Sequence, residues 1–409
     1  MKNYAPWLVL VVLVCTTPAW SETPNIEEIW AIVQQQQREI AELKQQLAAA
    51  DAQLAANDQK LEATGDYLET IAAPAAALPA TRIGGYGELH YNNLDAEDSA
   101  RDLDEIDFHR FVLFFGHEFS DRIRFFSEVE LEHSLAGDGA PGEVELEQAY
   151  LDFTLSDTLS ARAGLFLLPI GIINETHEPP TFYGVERNSV ESDIIPATWW
   201  EAGAAMNGHF SNGLSWDIAA HSGLAIPTTG PDAFRVRSGR QKVAEASADE
   251  LAYTARLRFS GVAGLDLGVS YQYQSDASQV SGDGLDEGQL LAVNASYKLG
   301  AFTLKGVYAN WDFSGAAVEA AGADSQTGWY VEPSYRFTTT RGDWGLYGRY
   351  QDVSAARTQD QFTQNEIGVN YWPTDKVVFK LDFRQRDHDL ASEMGRDFDG
   401  FDLGLGYQF

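Results

Sequence analysis

A chain of 409 residues with a formal net charge of −33 would repel a phosphate backbone, so nucleic acid is excluded as a partner. Its 12% aromatic content and 36 glycines exclude disorder despite that charge. The single cysteine, Cys15, excludes a disulfide scaffold or a thiolate metal centre.

The first element is "WLVLVVLV", Trp7 to Val14, with Lys2 before it and Ala19 and Ser21 after it. A basic start, a short apolar core and small residues read as a secretory signal over residues 1–21, too short to anchor as a span. A lipoprotein signal at Cys15 is the alternative, but Val14 stands where a small residue is expected.

From Ile26 a heptad begins. One seam position takes Ile26, Val33, Ile40, Leu47, Leu54, Leu61 and Leu68; the other takes Ile29, Gln36, Leu43, Ala50, Asn57, Thr64 and Ile71. That period predicts an N-terminal α-helical coiled coil over 22–71 in the periplasm, and "AAPAAALPA" predicts a linker over 72–80. A lone amphipathic helix packed on its own domain is the other reading.

After residue 80 the period changes to two. Leu403, Leu405, Tyr407 and Phe409 alternate with Asp402, Gly404, Gly406 and Gln408, and Leu265, Leu267, Val269 and Tyr271 alternate with polar residues. Roughly 16 such stretches follow one another, each about 9 to 14 residues, the length that crosses a membrane when tilted. They start near Arg82, Glu105, Arg122, Val144, Thr158, Thr198, Leu214, Glu250, Leu265, Gln289, Ala301, Gln326, Asp343, Phe362, Lys376 and Phe398. Tight turns such as "SNG" and "PTD" alternate with long polar connections, and aromatics (Trp344 and Tyr350, Trp329 and Phe337, Trp200 and Phe210, Trp216) sit near strand ends. The reading is an all-β transmembrane barrel over 81–409 with about 16 antiparallel strands, in preference to a soluble sandwich.

Three stretches carry a resemblance: "GGYGELHYNN", "EIDFHRFVLFFGHEFSDRIRFFSEVELEHS" and "GLFLLPIGIINETHEPPTFYGVERNSVESDIIPATWWEAG". They resemble the phosphate-selective porin O and P-like group of bacterial outer-membrane porins. The resemblance implies a homotrimer of 16-stranded barrels, a third external loop folded into each pore, and Phe409 as the signal for membrane assembly. It also implies a basic track through the constriction of phosphate-selective members, whereas the loop here is acidic.

Strand counting makes residues 167–197 the third external connection, rich in Ile, Pro, Phe and Tyr, and predicts a constriction inside the barrel. It carries Glu175, Glu178, Glu186, Glu191 and Asp193 against Arg187. Strand parity points Arg110, Arg162, Lys305, Arg349 and Lys380 into the lumen as a basic wall. An acidic loop facing that wall would impose a transverse field on passing solutes. Alternatively, the arginines pair with lumenal Glu128, Asp152, Glu201 or Glu332 and fill space. The pairs Arg122/Arg124, Arg256/Arg258 and Arg384/Arg386 offer a second basic ladder near the strand ends. Glu128, Glu130, Glu132, Glu143, Glu145 and Glu147 read as a solvated rim, or as a bridge through a divalent ion to lipid headgroups.

"THEPP" lacks the paired histidines of a zinc protease, and no nucleophile stands beside a base. No catalytic residue, metal site or cofactor is therefore assigned. The functional expectation is an outer-membrane porin passing small hydrophilic solutes and ions by passive diffusion, in contact with lipid and lipopolysaccharide, its coiled coil reaching towards peptidoglycan. The rivals are a substrate-specific channel for phosphate, sugar or iron chelate, a barrel enzyme, and a structural tether.

Overall fold

The computed structural model describes residues 81–409, so the signal, coiled coil and linker expected over 1–80 lie outside the described residues. The described chain is a closed antiparallel barrel of 16 strands in sequence order, sealed by pairing of the first with the last. They are β1 (Thr81–Ala96), β2 (Leu103–Ser120), β3 (Ile123–Glu132), β4 (Val144–Ser156), β5 (Leu159–Leu167), β6 (Trp200–His209), β7 (Leu214–His221) and β8 (Ala252–Val262). The second half comprises β9 (Leu265–Gln274), β10 (Gly288–Leu299), β11 (Phe302–Phe313), β12 (Ser325–Thr339), β13 (Gly342–Ser354), β14 (Gln361–Thr374), β15 (Val377–His388) and β16 (Phe398–Gln408). Every start expected from the period-two pattern falls within two residues of the observed one.

The connections alternate as expected. Residues 121–122, 157–158, 210–213, 263–264, 300–301, 340–341 and 375–376 turn tightly at one end. The other end carries the long loops, here L1 (97–102), L2 (133–143), L3 (168–199), L4 (222–251), L5 (275–287), L6 (314–324), L7 (355–360) and L8 (389–397). A single turn of helix, α1 (Ala316–Ala321), lies within L6.

Outward side chains form the greasy belt that lipid requires: Leu346, Ile367 and Phe383 are all more than half exposed. Trp329, Phe337 and Trp344 sit on that surface too. Trp200 departs from the expected aromatic belt. It is 3% exposed, with the Arg240 guanidinium 5.7 Å from its ring centre.

The inward face is not uniformly wet, and this departs from simple alternation of greasy and polar faces. Leu290 and Ala292 of β10 and Val307, Ala309, Trp311 and Phe313 of β11 are buried inside the barrel. They pack on Val190, Ile194, Ile195 and Trp199 of L3 and on Leu224, Ile226, Phe234 and Val236 of L4. The barrel therefore encloses an apolar core of its own, made by two loops folding inward onto one sector of wall. Each large side chain so buried contributes about 1.5–3 kcal/mol, which fixes those loops against the wall.

Candidate functional site

L3 crosses the lumen as an ordered strap. Its two ends are pinned by Asn174, whose amide nitrogen donates to the carbonyls of Leu168 (2.8 Å) and Trp199 (3.0 Å) while its oxygen accepts from the Trp199 amide (2.6 Å). Glu191, at the far side of the loop, accepts from the amides of Ile172 (2.5 Å) and Ile173 (2.8 Å) and from the hydroxyl of Tyr330 on β12 (2.8 Å).

An irregular segment inside a barrel leaves many backbone groups to be paired. Here the wall pairs them. Trp372 donates to the Pro180 carbonyl (3.0 Å), Asn370 to Phe182 (3.1 Å), Arg349 to Tyr183 (2.7 Å) and Lys380 to Gly184 (2.7 Å), while Asp382 and Gln351 accept from the amides of Val185 (2.6 Å) and Ser189 (2.8 Å). Two wall glycines admit the strap. A Cβ at Gly406 would stand 2.3 Å from Pro179 Cβ, and one at Gly328 would stand 2.8 Å from Ile194 Cγ1.

This arrangement redistributes the charges. Of the five wall cations, Arg349 and Lys380 lie behind the loop, 3% and 5% exposed, holding its carbonyls. Arg349 also pairs with Glu332 (2.7 Å) and Glu366 (2.5 Å). Arg162 lies 3.6 Å from Asp152 and stacks over Tyr150, and Lys305 stands in register with Glu332. Arg110 lies between Glu88 (2.7 Å) and Glu130 (3.5 Å).

The loop acids are likewise engaged. Glu175 pairs with Arg256; Glu186 lies 3.1 Å from both His90 Nδ1 and Asn92 Nδ2; Asp193 lies 3.4 Å from Arg235. Glu178 is buried. Three arginines of the second ladder meet carboxylates too: Arg256 with Asp217, Arg258 with Asp266 and Arg384 with Asp402. Arg386 instead donates to Gln364 (2.7 Å) and Ser189 (3.0 Å).

What remains open is bordered by two adjoining cavities of about 210 and 140 Å³, and Arg110, Arg187 and Arg237 line both. Arg240 and Lys242 join them in the larger together with Glu132, Glu143 and Glu145, and Glu88, His90 and Glu186 in the smaller. Arg237 donates to the carbonyls of Ser192 (2.9 Å) and Ala197 (2.7 Å), and Arg240 to that of Thr198 (2.5 Å); Arg187 leaves Nε and Nη2 without a hydrogen-bond partner. Burial, then the neighbouring Arg240 and Arg187, pushes the Arg237 guanidinium below the usual arginine range. Arg110 and Lys242 meet carboxylates here, whereas Arg187, Arg237 and Arg240 face the cavities without a carboxylate in a close ion pair.

Sequence reasoning missed L4. The signal was "RVRSGRQK", four cations between Arg235 and Lys242 in an otherwise acidic chain. It also misplaced the acids around L2. Glu128, Glu130 and Glu147 are not a solvated rim but are each 1% exposed beneath L3, while Glu143 and Glu145 are held by Lys242 from L4. A β-bulge causes part of this: Glu128 pairs with Gln148 and Val129 with Leu146, so Glu147 is the extra residue and turns inward.

A closed 16-stranded barrel with tight turns at one end, long loops at the other and an inward-folded third loop is the architecture of an outer-membrane porin. The chain belongs to the phosphate-selective porin O and P family, whose pattern matches residues 82–409. An uncharacterized protein of Aquifex aeolicus (strain VF5) is 31% identical over 344 residues, covering 75% of this chain and 76% of that protein. Among solved structures, the anion-selective porin from Comamonas acidovorans superposes with a TM-score of 0.57 at 10% identity, over 81% of this chain and 100% of that one. The outer-membrane channel DcaP of Acinetobacter baumannii gives 0.51 at 13% identity, over 82% and 99%. The protein is thus a porin, a channel for passive diffusion of solutes across the outer membrane.

Proposed function

We propose that this porin prefers small anions, phosphate among them. The observation that carries the reading is the line of Arg110, Arg187 and Arg237 shared by both cavities, with Arg240 and Lys242 on the outer side. An anion entering this passage meets the guanidinium groups of Arg187 and Arg237, while Glu175 and Glu191 of L3 are engaged with Arg256 and with loop amides. The Comamonas barrel that shares the fold is itself named anion-selective. In place of the acidic loop facing a basic wall expected from parity, the reading takes a basic segment of L4, Arg235 to Lys242, beside Arg187 of L3 and a largely neutralised wall. L3 supplies Arg187 and Glu186 to the passage, Glu175 and Asp193 serve its anchorage, and Glu178 is buried beneath it.

The protein assembles as a homotrimer among lipid and lipopolysaccharide, with Phe409, on the outer face beside Phe111 and Tyr407, as the recognition point for assembly. Residues 1–21 are removed as a signal, and the coiled coil over 22–71 extends into the periplasm through the 72–80 linker towards peptidoglycan. Purified protein in a planar bilayer under a salt gradient tests the anion reading. A reversal potential on the anion side, reduced by Arg187→Ala together with Arg237→Ala, supports it; cation preference in the unaltered protein refutes it.

A further inference from the structure

Beneath L3, where it passes β3 and β4, four carboxylates are buried together: Glu128, Glu130 and Glu147, each 1% exposed, and Glu178, 4%. His177 of L3 is set among them, 3% exposed. We infer that Glu128, Glu147 and His177 form a site for a divalent transition-metal ion of the zinc class, which clamps the constriction loop to the barrel wall.

The spacing fits. His177 Nε2 lies 3.3 Å from Glu128 Oε1 and 3.8 Å from Glu147 Oε2. Nitrogen and oxygen ligands about 2.0–2.1 Å from a tetrahedral zinc stand roughly 3.3 Å from one another. Both histidine separations lie within about half an ångström of that value, and the three ligand atoms all lie within 4.8 Å of one another.

Each of the three side chains is also held from behind. Gln148 Nε2 donates to Glu128 Oε2 (2.6 Å), and the Thr198 hydroxyl donates to Glu147 Oε1 (2.5 Å). His177 Nδ1 lies 3.2 Å from the Asn174 carbonyl, to which it donates, and Nε2 is left facing Glu128 and Glu147. Partners of this kind orient metal ligands and leave the ligating atom pointing inward. A histidine with two carboxylates is a ligand set that zinc accepts.

An independent observation points to a ligand. Glu147 Oε2 is buried, faces His177 and has no hydrogen-bond partner, and Glu178 Oε2 and Glu130 Oε1 are also without one. An unpaired buried carboxylate is costly, and either a cation or a proton must offset it. Glu130 is near enough to Glu147 to share a proton. A shared proton, with His177 Nε2 donating to Glu128 Oε1 at 3.3 Å, is the alternative. A metal ion engages Glu147 Oε2 as well, which faces Nε2 at 3.8 Å without a hydrogen bond.

The inference rests on the placement of L3, not on the ion preference of the channel. The test is zinc content of the full-length protein, purified in detergent without chelator and dialysed against micromolar zinc chloride. One zinc per chain is expected in the unaltered protein, and background levels in Glu147→Gln and His177→Asn. Chelation should lower the thermal midpoint of the unaltered protein, with recovery on adding zinc, and should leave that of Glu147→Gln unchanged. A His109→Ala/His133→Ala variant controls for the half-buried histidines grouped with Asp107 and should keep its zinc. Background zinc in the unaltered protein, with a midpoint indifferent to chelator, overturns the inference in favour of a shared proton. So does zinc that survives Glu147→Gln and His177→Asn but is lost from the His109/His133 variant. Neither result bears on reversal potentials, which judge the anion reading separately.

Discussion

Arg237 of L4 reaches across to L3, where one of its guanidinium nitrogens donates to the Ala197 carbonyl at 2.7 Å and to the Ser192 carbonyl at 2.9 Å. One residue therefore braces the constriction and presents charge to both cavities. The two roles separate by substitution. Arg237→Lys keeps the charge but not the forked donors; Arg237→Met loses both. A unit charge about 4 Å from an ion is worth about 1 kcal/mol in bulk-like water and about 4 kcal/mol at an effective dielectric of about 20. Arg237→Met should thus lower the anion-to-cation permeability ratio by at least about fivefold. Arg237→Lys should keep most of the ratio while adding current noise. Equal ratios in all three proteins would remove Arg237 from the passage.

Behind the loop, Arg349 is an internal strut. It is 3% exposed and joins Glu332, Glu366 and the Tyr183 carbonyl. Arg349→Met strands two buried carboxylates and should cost about 3–5 kcal/mol in detergent unfolding. Adding Glu332→Gln and Glu366→Gln removes the stranded charges and should recover most of that loss. If the single variant unfolds like the unaltered protein, the strut role is wrong.

The strand layout was legible because lipid on one side imposes a strict period of two, so even start positions could be read from the chain. The lumen was much less legible. Parity points Arg110, Arg349 and Lys380 inward, but whether an inward cation faces solute or a loop carbonyl depends on where L3 lies, which no local period encodes. Val307, Ala309 and Trp311 look like lipid-facing residues by composition; they stand on the inward side of β11, opposite to exposed Leu304 and Tyr308, and L3 and L4 cover them. Glu147 escaped for a local reason: read as part of a solvated rim, it is the extra residue of a bulge that turns it inward.

The barrel seam offers another measurement. Gly85 and Phe409 exchange both backbone hydrogen bonds, 3.0 and 2.9 Å, extending the β1–β16 pairing beyond Tyr86 and Gln408. The ring of Phe409 adds contacts with Phe111 and Tyr407 at 6.4 Å between centres. Removing Phe409 deletes both bonds and the ring, whereas Phe409→Ala deletes only the ring. With a net value of about 1 kcal/mol for each hydrogen bond, the deletion should be less stable than Phe409→Ala by about 2 kcal/mol in refolded, detergent-solubilised protein. Equal stabilities would mean that this end of the seam contributes through the ring alone.

Asn174 carries the last prediction, because it closes L3 upon itself. Asn174→Asp keeps the acceptor for the Trp199 amide but loses both donors to the Leu168 and Trp199 carbonyls, and Asn174→Ala loses all three bonds. The carbonyls left behind lie in a buried setting, where an unpaired group costs about 1–3 kcal/mol. The strap should respond by loosening at its base while its far contacts with Tyr330 and Arg349 persist. Single-channel conductance should therefore rise and flicker in the order unaltered, Asn174→Asp, Asn174→Ala, with the barrel still resistant to detergent. Because the adjoining carbonyl of Asn174 also holds His177, zinc content should fall in the same order wherever the loop base moves. Unchanged conductance in Asn174→Ala would show that the inward loop is held by the apolar core around Val190, Ile194 and Trp311 and needs no staple at its neck.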